Sequence, residues 1–299
     1  MSSILKSEQL TMRFRRLTAL DHVDLEVPEG AVFALTGPNG AGKTTTLECA
    51  MNMLRPTSGR CEVLGKDSRR LGPRELEQIG FVSEGQKLPS GMTVARFLAF
   101  CQPMYPAWSD ADAAALVKQF GLPLDRKLSA LSRGQRVKAM LTAALAHRPK
   151  LILLDEPFGG LDVLVREQLI RSVLDRTPEA TVVLASHDMA EIESFATHIA
   201  YLEEGRLRFC EETSALSARF REVEVTTDGE VEPQSWPETW LRVQRGRGLV
   251  RFTDSAWMEE GAVERIRALV PGAQDVTWRG LDLRGILLAV AAGRQDLEQ

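Results

Sequence analysis

The strongest constraint on the fold of this chain comes from Gly37-Pro38-Asn39-Gly40-Ala41-Gly42-Lys43-Thr44. It matches the pattern G-x-x-x-x-G-K-[ST] in full. Glycines in such a loop let successive backbone N–H groups turn inward around phosphate oxygens, and the N-terminus of the following helix faces the same anion. The lysine, Lys43, can reach the β- and γ-phosphates, and the hydroxyl of Thr44 can ligate Mg²⁺. The stretch therefore predicts a loop that binds a nucleoside triphosphate.

The surroundings of this loop support the prediction. The short apolar run Ala31–Thr36 is typical of a buried strand, and Thr44–Leu54 is typical of a helix that Arg55–Pro56 ends. A strand before the loop and a helix after it form the context that the motif requires. This context disfavours the alternative of a glycine-rich turn that contains Gly-Lys-Thr by chance.

A second candidate site follows the apolar run Leu151–Leu154, which ends in Asp155-Glu156-Pro157. Such a run predicts a buried strand that delivers both carboxylates to the carboxyl edge of a parallel sheet, where nucleotides bind. We expect Asp155 to hold Mg²⁺ and Glu156 to orient or deprotonate an attacking water. The alternative is a solvated acidic end of a strand, which a phosphate loop in the same chain makes less favourable.

The order of patterns predicts one α/β domain with a helical insertion. Strand candidates flank a helix-rich stretch that contains Ala111–Phe120 and Gln135–His147, and the apolar run Thr181–Ala185 follows it. We place the helical insertion at about residues 86–148 and the end of the domain at residue 215, so the first predicted domain is 1–215.

Residues 216–299 have a different character. Valine alternates with glutamate around Val223, Leu241–Phe252 is typical of a hairpin around Gly246–Gly248, and helices are predicted at Ala262–Val270 and Leu281–Ala292. This piece carries no catalytic constellation. It is predicted to be a small accessory α+β domain that packs on the first domain or aids dimerisation. The alternative is a module for regulation or partner docking. Its tryptophans are expected in the core.

Composition narrows the class of protein. The 299 residues carry a net charge of −4, with 44% hydrophobic and 26% charged residues, so no overall basic field favours a nucleic-acid partner. No apolar run approaches the roughly 18 residues that span a bilayer, and Met1–Leu10 lacks the pattern of a signal peptide. A role at a membrane would therefore come through a partner. The four cysteines lack metal-ligand spacing and are expected to be reduced thiols.

One further motif indicates which protein family this order of motifs resembles. Leu131-Ser132-Arg133-Gly134-Gln135 resembles the Leu-Ser-Gly-Gly-Gln signature of the ATP-binding cassette (ABC) family. Gly160-Leu161-Asp162 resembles the D-loop of that family, and Ala185-Ser186-His187-Asp188 resembles its switch-histidine segment. The resemblance runs over about residues 4–212 in the family's order. It implies a P-loop NTPase ABC cassette with a parallel-sheet core, an antiparallel β subdomain and a helical insertion.

The resemblance also implies roles for individual residues. His187 would contact the γ-phosphate and help to hold the attacking water. Ser132 and Gly134 would face ATP bound to an opposite cassette, so that a homodimer or a paralogous cassette completes both sites. The implied nucleotide contacts are Phe14 (stacking on adenine), Gly37, Pro38, Asn39, Gly40, Ala41, Gly42, Lys43, Thr44, Thr45, Ser132, Gly134, Gln135 and Asp162. The implied cofactors are ATP and Mg²⁺.

Two positions depart from the family pattern. Glu84 occupies the place of a glutamine that contacts Mg²⁺ and water, although Gln86 lies close enough for the alignment to slip. A glutamate is a hard oxygen ligand, so we predict that Glu84 serves as a metal-side and catalytic residue. Arg133 replaces the third residue of the signature. It is either a solvated side chain, the reading slightly favoured here, or one that leans on the signature turn.

The sequence favours the ATPase subunit of an ABC exporter that drives a separate membrane-spanning permease, at the cytoplasmic face of the membrane. The aromatic residues of Val94–Asp110 and the layout of about 300 residues favour transport by this resemblance. Those aromatic residues have ordinary core packing as an equal alternative. A soluble ABC ATPase that acts on ribosomes or DNA is the alternative function. A non-hydrolysing ATP sensor is the third, which the presence of Asp155, Glu156 and His187 disfavours.

Overall fold

The structure is a computed structural model that describes residues 2–83, 85–176, 178–188, 192–229, 231, 236–293 and 297–298. It falls into two compact units, Met1–Cys210 and Glu211–Gln299. No helix in these described ranges is both long and apolar enough to cross a membrane.

The first unit contains ten strands and six α-helices within its described residues. The strands are β1 (Ser3–Phe14), β2 (Leu17–Pro28), β3 (Val32–Thr36), β4 (Ser58–Val63), β5 (Lys66–Asp67), β6 (Ile79–Ser83), β7 (Leu151–Asp155), β8 (Thr181–Ser186), β9 (His198–Glu203) and β10 (Arg206–Glu212, which runs across the unit boundary). The helices are α1 (Lys43–Ala50), α2 (Pro73–Leu76), α3 (Val94–Cys101), α4 (Asp110–Phe120), α5 (Arg133–Leu145) and α6 (Val163–Arg176).

The central sheet positions the candidate site. Its strand order is β10-β9-β3-β8-β7-β6, and the pairs from β9 to β6 are parallel. Strands β7 and β8 are buried along their whole length, as their apolar sequences predict. In the register, Ser83 pairs with Asp155, and Thr36 pairs with Ser186. The carboxyl ends of the four strands β3, β8, β7 and β6 therefore lie along one edge.

A second, antiparallel sheet has the order β2-β1-β4-β5. Strands β1 and β2 form a long hairpin that closes at the pair Phe14–Leu17. Apolar residues of this hairpin, among them Leu10 and Leu20, share one core with Phe33 of β3. The predicted α/β cassette with an antiparallel β subdomain and a helical insertion is confirmed.

Two local details differ from the sequence prediction. Helix α1 ends at Ala50 rather than at Leu54, because Asn52 takes a left-handed backbone conformation with φ of 56°. The N–H groups of Met53 and Leu54 turn back to the carbonyl of Glu48. The sequence prediction also missed strands β9 and β10, although β9 contains the buried apolar run Ile199–Leu202.

The second unit holds one mixed sheet with the order β14-β11-β13-β12-β15. Its elements are α7 (Thr213–Arg219), β11 (Arg221–Thr227), β12 (Trp240–Gly246), β13 (Leu249–Asp254), α8 (Ala262–Leu269), β14 (Ala273–Gly280), α9 (Leu283–Ala292) and β15 (Leu297–Glu298). The predicted hairpin around Gly246–Gly248 is confirmed. Trp240 and Trp257 are buried as expected, but Trp278 is 37% exposed, because it lies on the edge strand β14.

Candidate functional site

The phosphate loop connects β3 to α1, as its sequence predicts. Gly37 has a φ of 145°, and a Cβ atom there would lie 2.0 Å from the carbonyl oxygen of Leu202 in β9. Only glycine allows the chain to pass this close to the neighbouring strand. Gly40 also has a positive φ, 83°, but a Cβ there would meet nothing within 4 Å. The loop is thus packed against the sheet at its start and exposed at its tip.

Lys43 is fixed inside this loop. Its side chain is only 5% exposed, and its Nζ donates hydrogen bonds to the carbonyl oxygens of Gly37 (2.8 Å) and Pro38 (3.2 Å). The same Nζ lies 3.3 Å from Oε1 of Glu156. A buried ammonium held by loop carbonyls is a cation at the place where a phosphate-bearing ligand needs one.

Asp155 lies at the end of β7 and is 4% exposed. Its Oδ1 accepts a hydrogen bond from Oγ1 of Thr44 at 2.9 Å, and its Oδ2 accepts one from Oγ of Ser83 at 3.0 Å. Burial raises the pKa of the Asp155 carboxyl, while the hydrogen bonds from the two hydroxyls oppose that rise. The sequence prediction missed Ser83, which is brought here by the register of β6 on β7.

Glu156 connects the loop to the switch-histidine segment. Its backbone is left-handed, with φ of 47°, and its N–H donates to the carbonyl of Ala185 in β8. Its Oε2 lies 2.9 Å from Nδ1 of His187. Its Oε1 faces Lys43 in an ionic contact that lacks the geometry of a hydrogen bond. One carboxylate thus lies between the cation of the loop and the imidazole.

The segment around His187 is anchored from its other side. The carboxylate of Asp188 forms an ion pair with Nη1 of Arg166 in α6 at 2.6 Å, and the Asp188 N–H donates to Oγ of Ser186. Arg166 lies far from His187 in sequence, so no local pattern could indicate this contact. The His187 ring itself is exposed enough to meet a ligand.

A second group of predicted residues lies at the starts of α5 and α6. Ser132 caps α5: its Oγ accepts from the N–H of Gln135, and Oε1 of Gln135 accepts from the N–H of Ser132. A Cβ at Gly134 would lie 3.6 Å from Leu161, so the signature helix rests against the D-loop segment. Oδ1 of Asp162 accepts from the N–H of Leu164 at the start of α6.

The remaining predicted residues are placed as follows. Phe14 is 41% exposed at the tip of the β1–β2 hairpin, and Leu20 of the same hairpin lies against the loop, 2.6 Å from where a Cβ of Gly42 would be. Thr45 is partly buried in the first turn of α1. Glu84 lies outside the described residues.

The donor set fits a nucleotide with Mg²⁺. Mg²⁺ prefers hard oxygen ligands and is commonly held by one or two carboxylates together with substrate phosphates. The buried carboxylate of Asp155 and the hydroxyls of Thr44 and Ser83 are hard oxygen ligands of this kind, and both hydroxyls lie within hydrogen-bond distance of the carboxylate. Among the described residues, no three or more His, Cys, Asp or Glu side chains come together as a metal-binding group.

This fold and this site define a P-loop cassette of the ATP-binding type. The family model described as ABC transporter matches residues 20–159. A probable sulfate/thiosulfate import ATP-binding protein of Chlorella vulgaris is 35% identical over 208 residues, which cover 67% of this chain and 87% of that protein. The chain belongs to the ABC transporter family.

Other relatives extend this comparison. A sulfate/thiosulfate import ATP-binding protein of Mycobacterium bovis is 38% identical over 205 residues, 66% of this chain but only 58% of the relative. This chain thus spans less than two thirds of that protein's length. The bacitracin transport ATP-binding protein of Bacillus licheniformis is 28% identical over 69% of each chain. A solved dimeric cassette in a post-hydrolysis state with ADP and Pi has a TM-score of 0.62 and 27% identity, covering 70% of this chain and 98% of that one.

Proposed function

We propose that this chain binds ATP with Mg²⁺ and hydrolyses it. The observation that carries the proposal is the position of Glu156, whose carboxylate lies between Nζ of Lys43 and the imidazole of His187. Beside it, Asp155 accepts hydrogen bonds from Thr44 and Ser83. A phosphate-binding cation, a metal-binding carboxylate and a candidate base therefore meet at one edge of the sheet, as phosphoryl transfer to water requires.

Each residue has a proposed task. The loop N–H groups and Lys43 bind the phosphates, and Phe14 stacks on the base. Thr44 and Asp155 hold Mg²⁺, which neutralises phosphate charge when bound. Glu156 orients the water and accepts its proton at the carboxylate, while His187 holds that carboxylate in place. The hydroxyl of Ser83 donates a hydrogen bond to Asp155 and helps to fix the orientation of this carboxylate, to which Thr44 also donates.

We propose further that a second cassette, identical or paralogous, completes each site. Ser132, Gly134, Gln135 and Asp162 form a group at two helix starts, where hydroxyl, N–H groups and helix dipole favour a phosphate. The dimeric cassette among the similar solved structures supports this arrangement.

The proposed cellular role is to drive a membrane-spanning permease, at the cytoplasmic face of the membrane and in the direction of export. In the helical insertion, Phe97 is core, but Phe100 and Met104 are exposed apolar side chains that a protein partner could cover. The layout of a cassette followed by a small unit supports export. Because two of the relatives above carry import in their names, transport has to be measured in both directions. The test is co-purification of a polytopic membrane protein, followed by uptake and efflux assays in vesicles.

The experiment for the ATPase itself is Glu156→Gln, which keeps the shape of the side chain and removes the base. With ATP and Mg²⁺ the variant should dimerise on size exclusion and hydrolyse about 10²- to 10⁴-fold more slowly than wild type. Glu179→Gln, at an exposed position, is the matched control and should behave as wild type. A Glu156→Gln protein that stays monomeric and hydrolyses ATP normally would end this assignment.

Glu84 remains a proposed metal-side residue. If it takes part in holding Mg²⁺, Glu84→Ala should require more Mg²⁺ for half-maximal ATPase activity, because a hard oxygen ligand has been removed. A variant with the wild-type rate and an unchanged Mg²⁺ dependence discards this role.

A further inference from the structure

Strand β14 (Ala273–Gly280) is an edge of the sheet in the second unit. Among the described strands it pairs with β11 alone, antiparallel and with a register shift only where the strand begins. Apart from Val276, its residues from Gln274 to Gly280 are exposed. Natural edge strands are commonly bulged or carry a proline, because free N–H and C=O groups otherwise pair with another chain. The regular part of β14 has neither feature, so its outer edge suits the addition of a strand.

The side chains of β14 alternate between the two faces of the sheet. Val276 is buried in the core of the second unit, and Trp278 lies on the same face of the strand. The opposite face therefore carries Asp275, Thr277 and Arg279. An acidic and a basic residue are thus placed symmetrically on either side of a threonine.

This pattern is complementary to itself in an antiparallel pair. If Thr277 lies opposite Thr277 of a second copy, Asp275 of each copy lies opposite Arg279 of the other, and Val276 lies opposite Trp278. Directly opposite side chains have Cβ atoms about 4.5–5.5 Å apart, and both opposite charges and an aromatic residue with a β-branched one stabilise such pairs. A two-fold axis through Thr277 repeats each favourable pair.

Other registers of the same strand are less favourable. A shift by one residue places the core face of one copy beside the polar face of the other. With Val276 or Trp278 opposite itself, neither charged residue meets an opposite charge. With Asp275 or Arg279 opposite itself, like charges meet, which is destabilising. Of these registers, the one centred on Thr277 alone pairs both charges.

Arg279 can bind a second carboxylate although it already has one. It forms an ion pair with Glu222 of β11, yet its side chain is 77% exposed. A guanidinium has five N–H donors, more than one carboxylate accepts. In the pair of strands, Arg279 would lie between Glu222 of its own chain and Asp275 of the second copy. The existing ion pair therefore does not compete with the new one.

We propose that β14 is a docking edge for a second copy of this chain, joined about a two-fold axis at Thr277 so that the two sheets become one. The inference goes beyond the proposed function, because it concerns the second unit and requires no nucleotide. A strand edge is a small interface, so we expect a dissociation constant on the order of 1–100 µM for the dimer.

The test is sedimentation equilibrium of the full chain without nucleotide. Asp275→Arg and Arg279→Asp should each weaken the dimer about tenfold or more, because both charge pairs become repulsive. An equimolar mixture of the two variants should associate again, since each interface then holds two pairs of opposite charge. Glu259→Arg changes the charge by the same amount as Asp275→Arg at an exposed position outside the strand, and should keep the wild-type constant.

A disulfide cross-link checks the register. Thr277→Cys lies opposite itself, within the Cα separation of about 4.4–6.8 Å that a disulfide spans, so mild oxidation should give a covalent dimer. Gln274→Cys is the matched control on the same strand. Gln274 lies opposite Gly280 in this register, so its own counterpart is about 20 Å away.

Three results would overturn the inference. They are a wild-type chain that stays monomeric above the expected concentration range, a dimer that Asp275→Arg leaves unchanged, and a Thr277→Cys variant that cross-links no better than Gln274→Cys. Failure of the proposed function is distinguishable from these results. A chain without ATPase activity would refute that function and leave the dimer standing, because no nucleotide is present in these measurements.

Discussion

Replacing Gly37 by alanine tests how the phosphate loop is held against the sheet. The new methyl carbon would lie 2.0 Å from the Leu202 carbonyl oxygen, whereas real contacts of this kind stay above about 3.0 Å. The loop or strand β9 must therefore shift by about 1 Å. Overpacking of this sort costs about 1–3 kcal/mol. The positive φ adds about 1–2 kcal/mol for a residue with a Cβ.

Gly40→Ala is the matched control for this prediction. Its φ is also positive, but its Cβ would meet nothing within 4 Å, so only the backbone cost of about 1–2 kcal/mol applies. A unit of this size loses about 2–4 °C in melting temperature for each kcal/mol. We expect a fall of about 4–20 °C for Gly37→Ala and of about 2–8 °C for Gly40→Ala, without nucleotide.

The assay is thermal unfolding followed by circular dichroism, with ATP binding measured by calorimetry in parallel. Gly37→Ala should also weaken ATP binding by tenfold or more, since a loop displaced by about 1 Å no longer points its N–H groups at the phosphates. Equal losses of stability in the two variants would refute the reasoning, because the clash with Leu202 would then cost nothing.

Two further predictions concern Asp155. Ser83→Ala removes one of the two hydrogen-bond donors to this carboxylate. The free energy of unfolding should therefore fall by about 1–2 kcal/mol, and the Mg²⁺ concentration needed for half-maximal ATPase activity should rise. An unchanged melting curve and an unchanged Mg²⁺ dependence would contradict this prediction. Asp155→Asn should abolish Mg²⁺-dependent ATPase activity yet raise the melting temperature without nucleotide at neutral pH. Because the folded pKa is raised, the stability that the protonated carboxyl contributes is complete below the unfolded pKa near 3.8 and is lost as pH rises through the folded pKa. The difference in melting temperature between Asp155→Asn and wild type should therefore grow from about pH 4 upward, and a constant difference across that range would contradict the pKa assignment.

The site was predictable where its residues follow each other along the chain. The loop from Gly37 to Thr44, the pair Asp155-Glu156 and the signature from Leu131 each carry their chemistry in local spacing. Apolar runs such as Leu151–Leu154 also predicted the buried parallel strands that bring the phosphate loop and the pair Asp155-Glu156 to one edge of the sheet, because a short unbroken apolar run is typical of a strand buried on both faces.

The contacts between distant segments were not predictable in this way. Ser83 reaches Asp155 only through the register of β6 on β7, and Arg166 reaches Asp188 only through the packing of α6 on the sheet. The length of α1 likewise depends on the left-handed backbone conformation of Asn52. An asparagine can adopt this conformation but often does not, so its presence in the sequence does not predict where the helix ends. Trp278 is exposed because of its place on an edge strand, which its composition does not reveal.

Local sequence was enough to predict the class of fold and the phosphate loop, and it supplied the residues proposed to contact the nucleotide. Those depend on backbone freedom, charge and periodicity, which act over a few neighbouring residues. The tertiary structure was needed to show that Glu156 lies between Lys43 and His187, and that the exposed side chain of Arg133 has its guanidinium beside Gly160. Such contacts depend on strand register and helix packing, which arise when segments far apart in the chain bury one shared core.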